Sequence, residues 1–220
     1  MTHPFWPLLG LRITTRELVL APLTEADLAE VVRALPDDVE QDPRATTYGL
    51  DDRTQRGVVV HQEYWRSYGT WTPQAWRFHL AVRRGDRLVG LQELQGDDFP
   101  TLRTVDTSSW LVPDERGAGV GKAMRRAVLA LAFGPMEALA AVTSAWHDNH
   151  ASLGVSRSVG YLPNGESLLA RDGGVDTLVH LRLTRDDWLA GKAVDAADPV
   201  EVDGFDPCRP FFGLPAAGNG

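Results

Sequence analysis

The chain has 220 residues, enough for one well-buried core and a tail. It carries 22 basic and 30 acidic residues, a formal charge of −8. That balance argues against nucleic acid or an anionic membrane as partner and suits a cationic acceptor such as an amine. Cys208 is the only cysteine, which excludes an intrachain disulfide and a cysteine-built zinc site and fits a reducing cytoplasm.

The opening residues, Met1 to Pro7, lack the basic head and long apolar run of a signal peptide. Residues 11–15 and 18–20 read as a strand with a turn or bulge. Thr24 and Asp27 have the spacing of a reciprocal helix cap, and Leu28, Val31, Val32 and Leu35 give a helical stripe that Pro36 ends. Residues 36–52 read as an acidic loop, and a second helix is predicted over 54–68. Residues 77–82 and 88–94 alternate as a hairpin around Asp86. A strand at 103–112 leads into a glycine-rich loop. The helix after it presents Ala123, Ala127, Val128, Leu131 and Ala132 at helical spacing. This helix is too short to span a bilayer. A strand at 138–144, a helix at 151–159 stopped by Gly160, a hairpin across 172–174 and a capped helical turn at 184–188 complete the pattern. The order β-αα-βββ-α-β-α-ββ predicts a mixed α/β (α+β) fold with a mostly antiparallel sheet. The domain is expected over 1–190. Residues 191–220, rich in Pro, Gly and Asp, read first as a disordered tail; Phe205, Phe211, Phe212 and Leu214 are the reason to expect docking on the body or on a second copy in a homodimer.

The most informative stretch is Arg116-Gly117-Ala118-Gly119-Val120-Gly121-Lys122. Glycines let backbone N–H groups converge on a ligand, and a helix N-terminus adds partial positive charge, so the loop suits a phosphate or pyrophosphate. It is one residue short of a Walker A loop, with Ala123 where a magnesium-binding hydroxyl belongs. Its Gly-x-Gly-x-Gly spacing also fails the dinucleotide fingerprint.

What the loop resembles is the acyl-CoA loop of the GNAT family of N-acetyltransferases, Arg/Gln-x-x-Gly-x-Gly/Ala, filled by Arg116, Gly119 and Gly121 with Pro113 ahead of them. Asn149-His150-Ala151-Ser152, then Ser156 and Gly160-Tyr161, is similar to a later helix of that family, and Ser152 resembles the subgroup of ribosomal-protein N-terminal acetyltransferases. The resemblance implies that strands 103–112 and 138–145 run parallel and splay, so that the pantetheine arm enters between them. It implies that the amides of Gly117 through Lys122 hold the pyrophosphate, that the main chain of Leu111 and Val112 pairs with the pantetheine, and that an N–H near this strand's end faces the thioester oxygen.

Asn149 then reads either as a pantetheine contact or as a plain helix cap. Ser152 reads as the hydroxyl near the sulfur or as a packing residue. Many family members carry a tyrosine acid at the position of Ser156, so the acid role falls to Ser152 or a water, with Ser156 kept among the cofactor contacts. Glu93 is the candidate base, against the reading of a solvated acid, with Asp97, Asp98 and Asp106 behind it. Trp65, Trp71 and Trp76 are expected either in an acceptor pocket or in the core. His147, Asp148 and His150 are expected to be polar residues at a helix start rather than a metal site. The expected activity is acetyl transfer from acetyl-CoA to an amine of a small molecule or a protein, by direct attack. Succinyl-CoA is an alternative donor, for which Arg83 or Arg103 could pair the extra carboxylate; a CoA-sensing protein without turnover is the other reading.

Overall fold

The computed structural model describes residues 3–39, 46–171, 173–191 and 199–216. Asp172 in the expected hairpin turn, Pro43 in the acidic loop, and Asp195 and Asp198 in the tail lie outside the described residues. The strands are β1 (Arg12–Thr14), β2 (Val19–Pro22), β3 (Ala75–Arg84), β4 (Arg87–Asp97), β5 (Thr104–Leu111), β6 (Ala140–Trp146), β7 (Leu162–Arg171), β8 (Gly174–Thr184) and β9 (Glu201–Asp203). They form one sheet in the order β7-β8-β6-β5-β4-β3-β2-β1-β9. Every pairing is antiparallel except β5 with β6.

The helices are α1 (Leu28–Ala34), α2 (Asp52–Gly69), α3 (Phe99–Leu102), α4 (Val120–Phe133), α5 (His150–Ser158) and α6 (Arg185–Ala190). Their starts follow the side chains that precede them. Asp27 accepts from the Thr24 amide at 2.9 Å, and Asp51 accepts from the Thr54 amide at 3.1 Å. Asn149 accepts from the Ser152 amide at 3.0 Å, and Thr184 from the Asp187 amide at 3.1 Å. The last three bonds each satisfy an amide that the first helical turn leaves orphaned, and the first is the return bond of a reciprocal cap.

Alternation divides the sheet into two faces. Phe78, Leu80, Val82, Leu94 and Val105 point to the face covered by α4 and α5, where Met124, Val128, Leu131 and Leu153 complete the main core. Ala81, Leu91 and Trp110 point the other way, against Leu28 and Val31 of α1 and Val60 and Tyr64 of α2. Helices α1 and α2 cover only part of that second face.

The described part of the tail is docked. β9 pairs with β1, from Arg12 opposite Asp203 to Thr14 opposite Glu201. Phe205, Cys208, Phe212 and Leu214 are buried. Phe212 meets Trp76 edge-on at 4.8 Å and Trp71 at 5.5 Å. Trp71 also donates its indole N–H to the Phe211 carbonyl at 2.9 Å. Burial of several large apolar groups, each worth about 1.5–3 kcal/mol, outweighs the flexibility that the proline- and glycine-rich composition suggests.

Candidate active site between β5 and β6

The parallel pair is short. Thr104, Val105 and Asp106 lie opposite Ala140, Ala141 and Val142, and the pairing ends there although both strands continue. Side chains brace the closing point. Thr107 Oγ1 donates to the Val142 carbonyl at 3.3 Å, and Thr143 Oγ1 donates to the Thr107 carbonyl at 2.7 Å. Beyond them the strands diverge.

The main-chain direction of β5 follows from one bond. The Val112 amide donates to Val89 of β4 at 2.9 Å. Successive amides of a strand point to opposite edges, so Ser108 and Trp110 also face β4, and Thr107, Ser109 and Leu111 face the gap. The Val112 amide, expected to pair with the pantetheine, is engaged with Val89, whereas the main chain of Ser109 and Leu111 faces the gap.

The glycine loop stands at the open end of this gap. Gly117 and Gly119 have φ of +79° and +83°, a region that side-chain-bearing residues avoid, and space for a Cβ exists at both. Their role is conformational. Gly119 caps α4, whose first bond is Ala123 N–H to the Gly119 carbonyl at 3.0 Å. The amides of Val120, Gly121 and Lys122 thus have no partner within the helix. Residues 116–119 and Lys122 are exposed. Buried Glu115 anchors the loop by accepting from Arg84 at 2.6 Å and Arg87 at 3.3 Å. Arg116 reaches the Leu111 carbonyl through Nε at 3.1 Å and grips Asp38 with both terminal nitrogens, at 2.5 and 2.9 Å. That grip holds the Asp38 carboxyl below its ordinary range.

On the α1–α2 side, a cavity of about 250 Å³ opens at the root of the gap. It is lined by Arg77, Glu93, Gln95, Asp106, Ser108 and Ser144, together with Thr107. Glu93 accepts from Ser108 Oγ at 3.1 Å and lies 3.9 Å from the Arg77 guanidinium. His79 is directly across the strand pair from Glu93; burial lowers its pKa, against the opposing pull of the Glu93 charge, and its Nε2 is buried without a hydrogen-bond partner. Asp106 is exposed, yet the protein around it strips enough hydration to push its carboxyl up to about 6, opposed by the Thr107 amide and the Arg125 charge and helped by Glu93. Ser144 shares a 2.7 Å hydrogen bond with His180 Nδ1, whose Nε2 meets Ser167 Oγ at 2.7 Å.

The remaining candidates do not line that cavity. The Asn149 side-chain oxygen serves as the α5 cap. Ser152 sits half-buried in the first turn of α5. Ser156 is buried, with its hydroxyl donating to the Ser152 carbonyl at 3.0 Å and accepting from Arg125 at 3.3 Å. Trp71 and Trp76 stack in the core at 5.8 Å. Trp65 is exposed along a groove of about 590 Å³ between α1 and α2. Arg83 is committed to Asp27 and Glu30, and Arg103 to the Phe99 ring, so neither lines the cavity. His147 pairs with Asp176 at 2.8 Å, and Asp148 with Arg171 at 3.0 Å.

Sequence reasoning missed Arg77, Ser144 and Arg125. Arg125 carried a signal: it shares the helical stripe of Val128, Leu129 and Ala132, where a charge is out of place. Arg77 and Ser144 are brought in only by strand register.

A parallel pair that stops short, with a glycine loop at the next helix start, is the arrangement expected of an acyl-CoA-dependent transferase. The family model for the acetyltransferase (GNAT) domain matches residues 17–162, more than half of the chain. The chain belongs to the GNAT family and is an N-acyltransferase of that class. Its fold is similar to Mycobacterium smegmatis RimJ in complex with CoA-disulfide, at 18% identity over 89% of this chain and 97% of that one, with a TM-score of 0.67. It is also similar to a chimera of the spermidine N-acetyltransferase SpeG from Vibrio cholerae and hSSAT, at 12% identity over 80% and 99%, with a TM-score of 0.63. Mutant forms of the Vibrio cholerae spermidine/spermine N-acetyltransferase SpeG match at 13% identity over 79% and 98%, with a TM-score of 0.59. At these identities the likeness is one of fold. No helix among the described residues is long and apolar enough to cross a membrane.

Proposed function

We propose that this protein is a cytoplasmic enzyme that moves an acetyl group from acetyl-CoA to a primary amine by direct attack in a ternary complex. The observation that carries the reading is the pairing of β5 with β6, which ends at Asp106 and Val142 and leaves a free strand edge leading from the glycine loop. In this reading the amides of residues 117–122 hold the pyrophosphate. The pantetheine runs along the edge made by Leu111, Ser109 and Thr107 as an added strand. A gap-facing amide near Ser109 meets the thioester oxygen, and such a preorganised donor contributes about 2.7–4 kcal/mol to the transition state.

The acceptor enters from the α1–α2 side, where Glu93 and Asp106 attract a cation. The amine must lose its proton before or during attack. Asp106, raised to about 6, is closer to neutral range than an ordinary carboxylate and receives that proton directly or through water, with Glu93 beside it. Ser152, at the start of α5, supplies a hydroxyl to the departing sulfur. Arg77 is the one basic side chain lining the cavity among the described residues, and it is the group that a succinyl carboxylate would need. The test is a spectrophotometric thiol-release assay with acetyl-CoA and succinyl-CoA against small amines, lysine peptides and peptide N-termini. CoA release that depends on an amine supports the reading. Tight CoA binding with no turnover on any acceptor refutes it in favour of a sensing role.

A further inference from the structure

Arg125 lies in the first half of α4 and is 2% exposed, under the root of the gap. Its Nη1 donates to Ser156 Oγ at 3.3 Å, and that hydroxyl donates onward to the Ser152 carbonyl at 3.0 Å. Its guanidinium carbon is 5.8 Å from the centre of the Tyr161 ring. The Tyr161 hydroxyl shares a 3.1 Å hydrogen bond with Thr107 Oγ1, which braces the closing point of the strands. Arg125 Nε is buried with no hydrogen-bond partner. No carboxylate among the described residues lies within ion-pair distance of Arg125.

Asp106 feels the Arg125 charge but makes no ion pair with it, so this buried cation is only weakly balanced, which is expensive because arginine keeps its charge on burial. The cost has an explanation if a negative charge forms beside it during the reaction. The acyl-CoA reading puts one there. An arm entering along the β5 edge cannot pass Thr107, because the strands close, so its terminal sulfur stops above the network of Arg125, Ser156 and Tyr161.

We propose that Arg125 stabilises the CoA thiolate as it leaves; this rests on the acyl-CoA reading. The amine nitrogen bonds to the thioester carbon, and the carbon–sulfur bond breaks with its electron pair on sulfur. The amine proton goes to the carboxylate on the acceptor side. Arg125 transfers no proton and acts by charge and hydrogen bonding. The thiolate is reprotonated from solvent on release. The titratable groups facing this point are few. Burial raises the Tyr161 pKa and keeps its hydroxyl protonated. Asp106 and Glu93, on the other face, oppose a thiolate. His150 and Arg157 of α5 are exposed.

The experiment is an ultraviolet titration of the CoA thiol bound to the full-length protein. The only protein thiol, Cys208, does not interfere, because burial pushes it up to about 12. The bound thiol is expected to titrate about 1–3 units below free CoA. Arg125→Gln is expected to remove that shift and Arg125→Lys to retain part of it. A wild-type bound thiol at the free value overturns the proposal without any variant, as does an unchanged shift in a folded Arg125→Gln protein. Absence of CoA binding, measured by calorimetry, overturns the acyl-CoA reading and the proposal with it.

Discussion

Asp106→Asn should make the protein more stable at neutral pH while slowing it. Asp106 occupies the last paired position of β5 with β6 and lines the acceptor cavity. Its carboxyl is pushed up from 3.8 to about 6, mainly by loss of hydration. The folded state thus holds this proton more tightly than the unfolded chain. The associated stability is fully present below the unfolded value and is lost as pH rises through about 6. Two units correspond to at most about 3 kcal/mol at about 1.36 kcal/mol per unit. The open edge of the carboxylate lets solvent screen it, so a realistic figure is about 1 kcal/mol. Asparagine keeps the shape and removes the charge. Urea unfolding of both proteins should show the variant more stable by about that amount near pH 7.5, and equal to wild type only below the unfolded value, at about pH 3. In the acetyl-transfer assay, wild-type kcat/KM should fall on the acid side through about pH 6, and the variant should lose that limb along with most of its rate. Equal stabilities at both pH values, or a variant that is weaker at pH 7.5, would refute the reasoning.

Phe212→Ala should cost about 3–5 kcal/mol in denaturant unfolding, because a fully buried ring, stacked on Phe205 and edge-on to Trp71 and Trp76, is removed; a loss below about 1 kcal/mol would mean the tail is not part of the core. Gly119→Ala should lose about 1–2 kcal/mol, split between stability and CoA affinity, since its φ of +83° penalises any side chain although space is available. Calorimetry and unfolding together check this, and no change in either would show that the loop does not need that conformation. Ser152→Ala should lower kcat with little effect on the dissociation constant of CoA; a variant that only raises KM counts against contact with the departing sulfur.

The parts of the fold written in local chemistry were legible. The glycine loop, the Asn149 cap and the Thr24–Asp27 cap each depend on residues within a few positions of one another, and each forms as the spacing predicts. The closing point of the gap was not legible. Thr107 and Thr143 are ordinary strand residues until β5 and β6 lie side by side. The cavity is likewise a product of register, which sets Glu93 opposite Ser108 and Gln95 opposite Asp106. Of the two readings of the tail, its described part takes the docked one, because a few aromatics outweigh many prolines once a hydrophobic partner exists. Trp71 and Trp76 take the core alternative of their two readings, packed against the same aromatics. The direction of the Val112 amide was not legible either, because the alternation of β5 cannot be phased without its bond to Val89.

In the proposed reading a free strand edge on β5 receives the pantetheine while the α4 N-terminus holds the pyrophosphate. Residue-resolved amide exchange by NMR, with and without CoA, tests it most directly. Protection should rise at Ser109, Leu111 and Val120 through Lys122, and stay unchanged at Ser108, Trp110 and Val112, whose amides already face β4. Protection that is absent, or that rises equally on odd and even residues of β5, would contradict the account.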